Sequence, residues 1–431
     1  MEIFIYITVF LIGIGKVLRK YSFSILSPIY QYLIFGITTI IFSAIYFYFF
    51  TYRFSLFGLD EISYSSFNLA IEYYFVSFIA FIVGANINYI AINKAKRSLT
   101  QQKLNLTWEI PDRLTNSLFR FSKYFFPLTY FFIFILFGKQ LFIRCEYLSS
   151  EISRSGMLLV QLVGFLGSIL ASLIYEKKKV LTAFYFGFLM ILFFTTGSRV
   201  GVLFLMIFIG IKFVLQPTHK TIDWMKLVAV IILILFYLAF VMHLRGLESH
   251  GLIPYLSEVL YIDSSIFRDF FFNIYYIFIY GVFVTVKTMS IAVKDWSIIF
   301  TNINPLPGSM AGWYEFSKTR RINVYAPFST HGEVFSMGKW FTFCFYVAVG
   351  FIISYLDVLV RKLISRQHYF SALIINLLIV LHIFYSFEYN MRSSIRYIYY
   401  ALAFVVILWA FRFIKRVLIY LSHLDDDKQA K

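Results

Sequence analysis

Several arginines stand where apolar runs of this chain stop. Arg199 lies within LMILFFTTGSRVGVLFLMIFIG (189–210), and Arg245 within MHLRGLESHG (242–251). Arg320 and Arg321 come shortly before His331 and Glu333, and Arg392 and Arg396 belong to a later short connection. A guanidinium is planar, always charged and able to bond bidentately, so such a set suits an anionic phosphate group. His331 is able to take a proton near neutral pH, and Glu333 either orients it or takes the proton itself. A cation inside an apolar run costs several kcal/mol, which by default marks Arg199 as functional. Plain alternatives exist for each type. Arginines at the ends of apolar runs also snorkel, the reading favoured for Arg53, Arg154 and Arg268. Lone histidines are mostly structural, as His219, His368, His382 and His423 are read, and Glu333 has an alternative as ion-pair partner of Arg320 or Arg321.

The elements that must position these groups are membrane helices. Hydrophobic residues make up 60% of the chain and charged ones 14%, where a soluble protein has about a quarter charged. Lipid-facing Phe and interfacial Tyr account for the 54 Phe and 33 Tyr. The net charge of +17 falls between apolar runs, where it sets topology, and gives no basic surface for nucleic acid. The two cysteines, Cys145 and Cys344, are far apart and suggest neither a disulfide nor a metal site. There is no P-loop, G-x-G-x-x-G, H-E-x-x-H or G-x-S-x-G pattern, so neither metal nor cofactor is expected.

Apolar runs cover 2–15, 27–50, 67–92, 124–142, 157–175, 180–196, 200–215, 225–243, 340–358, 369–387 and 397–414. A span needs roughly 20 residues, so 181–215 is a hairpin reversed at Thr195, Thr196, Gly197 and Ser198, with Arg199 at the mouth of its second helix. Basic connections alternate with non-basic ones. Lys16, Arg19 and Lys20, then the cluster from Lys94 to Lys123, Lys177–Lys179, Lys220 with Lys226, Arg361 to Arg366 and Arg412 to Arg416 fall on one side. Placing them in the cytoplasm satisfies the positive-inside bias throughout. The predicted fold is thus an all-α polytopic integral membrane protein of about 11 transmembrane helices, N-terminus out and C-terminus in.

This reading makes 1–431 a single transmembrane domain, with a long periplasmic loop at 244–338 and a short cytoplasmic tail at 417–431, whose aspartates are simply solvated. The apolar segment 267–289 would invert every later loop if it crossed, so it is predicted to be a re-entrant hairpin broken near Gly281, or an interfacial helix. The arginines then share one side of the membrane. In glycosyl transfer from a lipid diphosphate, negative charge grows on the leaving phosphate and positioned arginines stabilise it without a metal.

Three stretches together resemble the Wzy-type O-antigen and capsule repeat-unit polymerases: TTGSRVGVLF, MHLRG, and NPLPG followed by RRINVYAPFSTHGEVFSMGKW in the long outer loop. LSPIYQYLIFG (26–36) is also similar to their second helix. The resemblance implies a GT-C-like helical bundle in the bacterial inner membrane, active at its periplasmic face and independent of metal. It implies transfer of a growing glycan from undecaprenyl diphosphate to a new lipid-linked repeat unit. Arg199 and Arg245 match the diphosphate-contacting arginines, and His331 or Glu333 the base, with Arg320 and Arg321 as further diphosphate ligands and Arg392 and Arg396 as weaker candidates. The related O-antigen ligases use a histidine in the comparable loop, whereas many polymerases emphasise a glutamate, so the choice of base stays open. Implied partners are undecaprenyl-diphosphate-linked oligosaccharides, membrane lipid and a chain-length regulator protein. The alternatives are an O-antigen ligase and, from another class, a lipid-linked oligosaccharide flippase.

Overall fold

The computed structural model of the protein describes residues 27–50, 61–95, 112–146, 153–197, 200–214, 221–244, 246–259, 265–323, 326–366 and 368–429. In chain order its helices are α1 (Pro28–Phe49), α2 (Tyr64–Ala95), α3 (Asp112–Phe137), α4 (Arg154–Ile174), α5 (Lys179–Thr195) and α6 (Val200–Val214). They continue with α7 (Thr221–Leu244), α8 (Leu252–Val259), α9 (Ser265–Phe278), α10 (Tyr280–Ile291) and α11 (Trp296–Ile303). The last are α12 (Trp313–Thr319), α13 (Thr330–Ser336), α14 (Lys339–Ser365), α15 (Tyr369–Glu388) and α16 (Met391–Gln429). Among the described residues there is no strand. Seven helices, α1–α4 and α14–α16, are long and apolar enough to cross a membrane, as expected of an all-α polytopic membrane protein. They match the runs from 27, 67, 124, 157, 340, 369 and 397. The runs from 180, 200 and 225 form the shorter apolar helices α5, α6 and α7. The run 2–15 and its basic loop lie outside the described residues, as do Arg53, Arg199, His219 and Arg245.

The helix ends follow local chemistry. Pro28 opens α1, where its missing N–H costs nothing. Ser153 caps α4 by accepting the Gly156 N–H, and Asp295 caps α11 by accepting that of Ser297. Helix α16 runs on through 417–429, so the segment expected as a tail is a continuation of that helix.

The chain divides into two compact units, one of Met1–Lys103 with Tyr276–Lys431 and the other of Leu104–Tyr275. In the first, α2 and α14 pack against each other along much of their length. A Cβ at Gly84 would strike the backbone of Val347, and one at Gly350 the backbone of Phe81. Small residues permit such close approach between helices in lipid, where packing replaces the hydrophobic effect. Along α2, Tyr32 stacks on Phe81 and Phe47 on Phe67, each pair at 4.1 Å. In the second unit Phe126, Leu189, Phe193 and Phe204 form a core among α3, α4, α5 and α6.

End-to-end contacts pair helix ends that the alternating basic loops place on one side. Lys339, opening α14, pairs with Glu72 in the early turns of α2. At the opposite ends of the same helices, Asp357 accepts from Tyr89 and pairs with Arg361 at 2.9 Å. In the other unit, Lys177 beyond α4 pairs with Asp112 at the start of α3, at 2.8 Å.

The segment 267–289 is helical but broken, bending by 51° between α9 and α10. The break falls at Ile279, two residues before the glycine expected to cause it. Helix α10 is buried along most of its length. The carbonyl of Phe278, just before it, accepts from Ser43, and Phe283 lies edge-on to Phe47 and Phe67. The Thr285 hydroxyl bonds that of Tyr74 at 3.0 Å, and Gly281 abuts Phe387. Those partners all occupy the half of their helices that the loop pattern assigns to the outside.

Candidate functional site

His331 and Glu333 sit on the two-turn helix α13. Its start is set by Ser329, whose Oγ accepts the Gly332 N–H at 2.9 Å. The same Oγ meets Thr285 Oγ1 at 2.9 Å on α10. Thr330 donates both its N–H (2.9 Å) and its hydroxyl (2.8 Å) to the Tyr389 carbonyl between α15 and α16. Gly338, at φ 104°, ends the segment and lets α14 begin at the next residue. The helix is therefore held on two sides by hydrogen bonds reaching distant parts of the sequence.

The two titratable residues on it have different fates. His331 has no exposed surface. Its Nδ1 lies 2.7 Å from the Ser386 carbonyl, which only accepts, so Nδ1 carries the proton. Nε2 is left without a hydrogen-bond partner inside a ring of Tyr74, Phe335, Tyr346 and Phe387. Burial pushes its pKa down to about 3, against the opposing pull of the Ser386 bond. Such an imidazole is neutral, poorly basic and sealed off.

Glu333 is 3% exposed, but its neighbours are polar. Oε1 accepts from Asn302 Nδ2 at 3.1 Å, and Oε2 from the Met391 N–H at 3.4 Å, the first amide of α16. Burial pushes its pKa up to about 7, while Asn302, the Met391 amide and the charge of Arg320 act in the other direction. A carboxyl that titrates near neutrality is what a general base requires.

The arginines of this unit separate by their surroundings. Arg392 is 2% exposed. Its Nη1 donates to the carbonyls of Thr301 (2.8 Å) and Asn304 (3.1 Å), and its Nη2 to that of Leu306. The Trp313 ring lies 5.5 Å from its guanidinium carbon. It thereby satisfies the carbonyls at the end of α11 and in the NPLPG turn, and those donors are taken by the backbone. Arg396 is only partly buried, one turn further along α16. Arg320 lies against Phe316 at 5.2 Å and Phe328 at 6.0 Å. Arg321 is exposed and donates to the Ser317 carbonyl at 3.3 Å. Among the described residues no ion pair joins Glu333 to either.

In the other unit, the end of α5 and the turn containing His250 meet at Arg144. Its Nη1 donates to the carbonyls of Gln140 (3.0 Å) and Thr195 (2.9 Å). Its backbone exchanges hydrogen bonds with His250 in both directions, at 2.8 and 2.7 Å. Thr195 precedes the expected reversal, where Gly197 takes φ 65°, and His250 belongs to MHLRGLESHG. Thr195 and His250, which stand near Arg199 and Arg245 in sequence, are thus joined through Arg144. Burial and the Arg144 charge lower the His250 pKa, and its Nδ1 lies 3.1 Å from the Tyr255 hydroxyl. Nearby, His243 and Glu258 are 2.9 Å apart.

The sequence reading missed Asn302, Arg144 and His250. Arg144 left a faint signal, an arginine in a connection assigned to the side where basic residues are scarce. Asn302 left none, because its partner is 31 residues away. Among the described residues no group of His, Cys, Asp and Glu is arranged to hold a metal ion. No family model, curated protein or solved structure matches the chain.

Proposed function

We propose that this protein is a metal-independent oligosaccharide repeat-unit polymerase of the Wzy type, working at the periplasmic face of the bacterial inner membrane. The observation that carries this reading is the meeting of the Thr195 turn and the His250 turn at Arg144. It supports Arg199 and Arg245, each within a few residues of that junction, as a joint grip on a diphosphate. In this reading the runs 2–15, 180–196, 200–215 and 225–243 also cross, giving about eleven spans and a GT-C-like bundle. The pairing of like helix ends and the position of α10 against outer halves support the same topology.

A hydroxyl of the acceptor repeat unit attacks the anomeric carbon of the growing glycan. The bond from that carbon to the undecaprenyl diphosphate oxygen breaks, and the diphosphate leaves with the electron pair, stabilised by the arginines. Within its own unit, Glu333 rather than His331 has the raised pKa that suits a base taking a hydroxyl proton. A glutamate base favours polymerase over ligase.

The test is chain length. Arg199→Ala or Arg245→Ala should leave single-unit glycans with the protein inserted, a loss on the order of 10²-fold or more. Lysine at either position should rescue only in part, because the bidentate geometry is gone. Normal long chains in both alanine variants would refute the grip. Repeat units that fail to cross the membrane would point to a flippase, and lengthening that requires a lipid A core acceptor would point to a ligase.

A further inference from the structure

The geometry points to Arg144 as a positioning residue that keeps the end of α5 and the turn containing His250 in register, a role that rests on the polymerase reading for its purpose but not for its geometry. Three separate segments are joined at this residue. The first is its own non-helical stretch after α3, where the Phe142 carbonyl accepts the Ile253 N–H at 3.1 Å and the Arg144 backbone pairs with His250. The second is the end of α5. There the hydroxyls of Thr195 and Thr196 turn back to the carbonyls of Leu192 and Phe193, and the Gly197 N–H bonds the Phe194 carbonyl at 2.9 Å. The Thr195 carbonyl is thereby left for a donor from outside α5, and Arg144 Nη1 supplies it.

The third segment is the turn after α7, closed onto the first by Gly251. This glycine has φ 119°, and a Cβ there would come within 2.6 Å of the Phe142 carbonyl oxygen. Arg144 is 9% exposed, so its charge is largely withdrawn from solvent and its guanidinium serves the backbone. Two turns with no sequence relation are thus referred to one residue, the Thr195 turn through its guanidinium and the His250 turn through its backbone. An arginine grip needs that constancy, since two guanidiniums clamp one diphosphate only when their separation is held.

The experiment places spin labels on described residues beside the two arginines, at Val200→Cys and Glu248→Cys, with Cys145 and Cys344 changed to Ser. Binding of undecaprenyl diphosphate to the purified protein in lipid nanodiscs is measured in parallel. With Arg144 present the label separation should be one narrow distribution. Arg144→Ala should at least double its width and weaken undecaprenyl diphosphate binding by about tenfold or more. Arg144→Lys, which retains a cationic donor, should restore the narrow distribution and bring binding back to within a few-fold.

Should Arg144→Ala not insert, Gly251→Ala attacks the same junction from its other side and should broaden the distribution alike. An unchanged distribution in a folded Arg144→Ala or Gly251→Ala protein overturns the proposal. Broadening accompanied by no binding of undecaprenyl diphosphate to any of the proteins, the parent included, upholds the positioning role and removes the diphosphate reading instead.

Discussion

Two regions of this molecule commit a buried arginine to backbone carbonyls, and they differ in what lies beside it. Arg144 joins the Thr195 turn to the stretch paired with His250, and the functional candidates next to those turns are fixed cations. Arg392 joins the end of α11 to the start of α16, and the functional candidate beside it titrates: Glu333 accepts from Met391, the residue before Arg392, and from Asn302 on α11. The same device, a guanidinium satisfying helix-end carbonyls, therefore stands near candidates of permanent charge in one stretch of sequence and beside a titratable carboxyl in the other. An arginine between two helices is not a phosphate ligand by virtue of its type. Its value there depends on whether carbonyls have already claimed its donors.

The largest test of this contrast is Glu333→Gln, which keeps the shape and the Asn302 neighbour but removes the base. Glycan lengthening should fall by roughly 10²-fold or more, while the protein inserts normally. Its stability should move the other way. The Glu333 pKa is raised to about 7 from 4.5, so the fold favours the protonated form. The contribution of Glu333 to stability is complete below its unfolded pKa and is lost as pH rises through about 7. Glu333→Gln should therefore raise the thermal midpoint at pH 8 and hardly change it at pH 4, with a gain bounded by roughly 3 kcal/mol. A midpoint that falls equally at both pH values would make Glu333 a structural cap.

Arg392→Ala ranks next and should act on stability first. It strips donors from three carbonyls, at about 1–3 kcal/mol for each one left buried and unpaired, and should lower the melting temperature sharply. An Arg392→Ala protein of unchanged melting temperature that no longer binds undecaprenyl diphosphate would break the distinction drawn above. Arg396→Ala, by contrast, should cost little stability. A smaller effect is expected in the pH profile. The parent rate should rise through about pH 7, as Glu333 loses its proton, and Glu333→Gln should flatten whatever rate remains. The smallest is His331→Gln, which should keep lengthening within about tenfold of the parent rate. Loss equal to that of Glu333→Gln would return the base to the histidine.

Sequence periodicity and length were enough to find the long helices. The run at 27–50 became Pro28–Phe49, that at 369–387 became Tyr369–Glu388, and the break foreseen near Gly281 came at Ile279. Each is a local property of apolar patterning. The surroundings of the candidates were not legible in that way. Arg392 and Arg396 look equivalent one turn apart, and only the placement of Thr301, Asn304 and Leu306 tells them apart. His331 and Glu333 share one short helix, yet one faces aromatic rings and the other an amide and a helix start. These outcomes depend on partners 31 to 91 residues away, a separation at which a single sequence leaves no periodic trace.

The glycine contact between α2 and α14 has a mechanical consequence. Backbones in direct contact at Gly84 and Gly350 cannot slide past one another without collision, so the two helices are held in one register. The Lys339 end, tied to Glu72, leads through Gly338 into α13, which is also held by Thr285 and Tyr389. The other end is braced by Asp357, Tyr89 and Arg361. A bulky residue at either glycine would shift that register, and the harm would be read at a carboxyl that neither glycine touches.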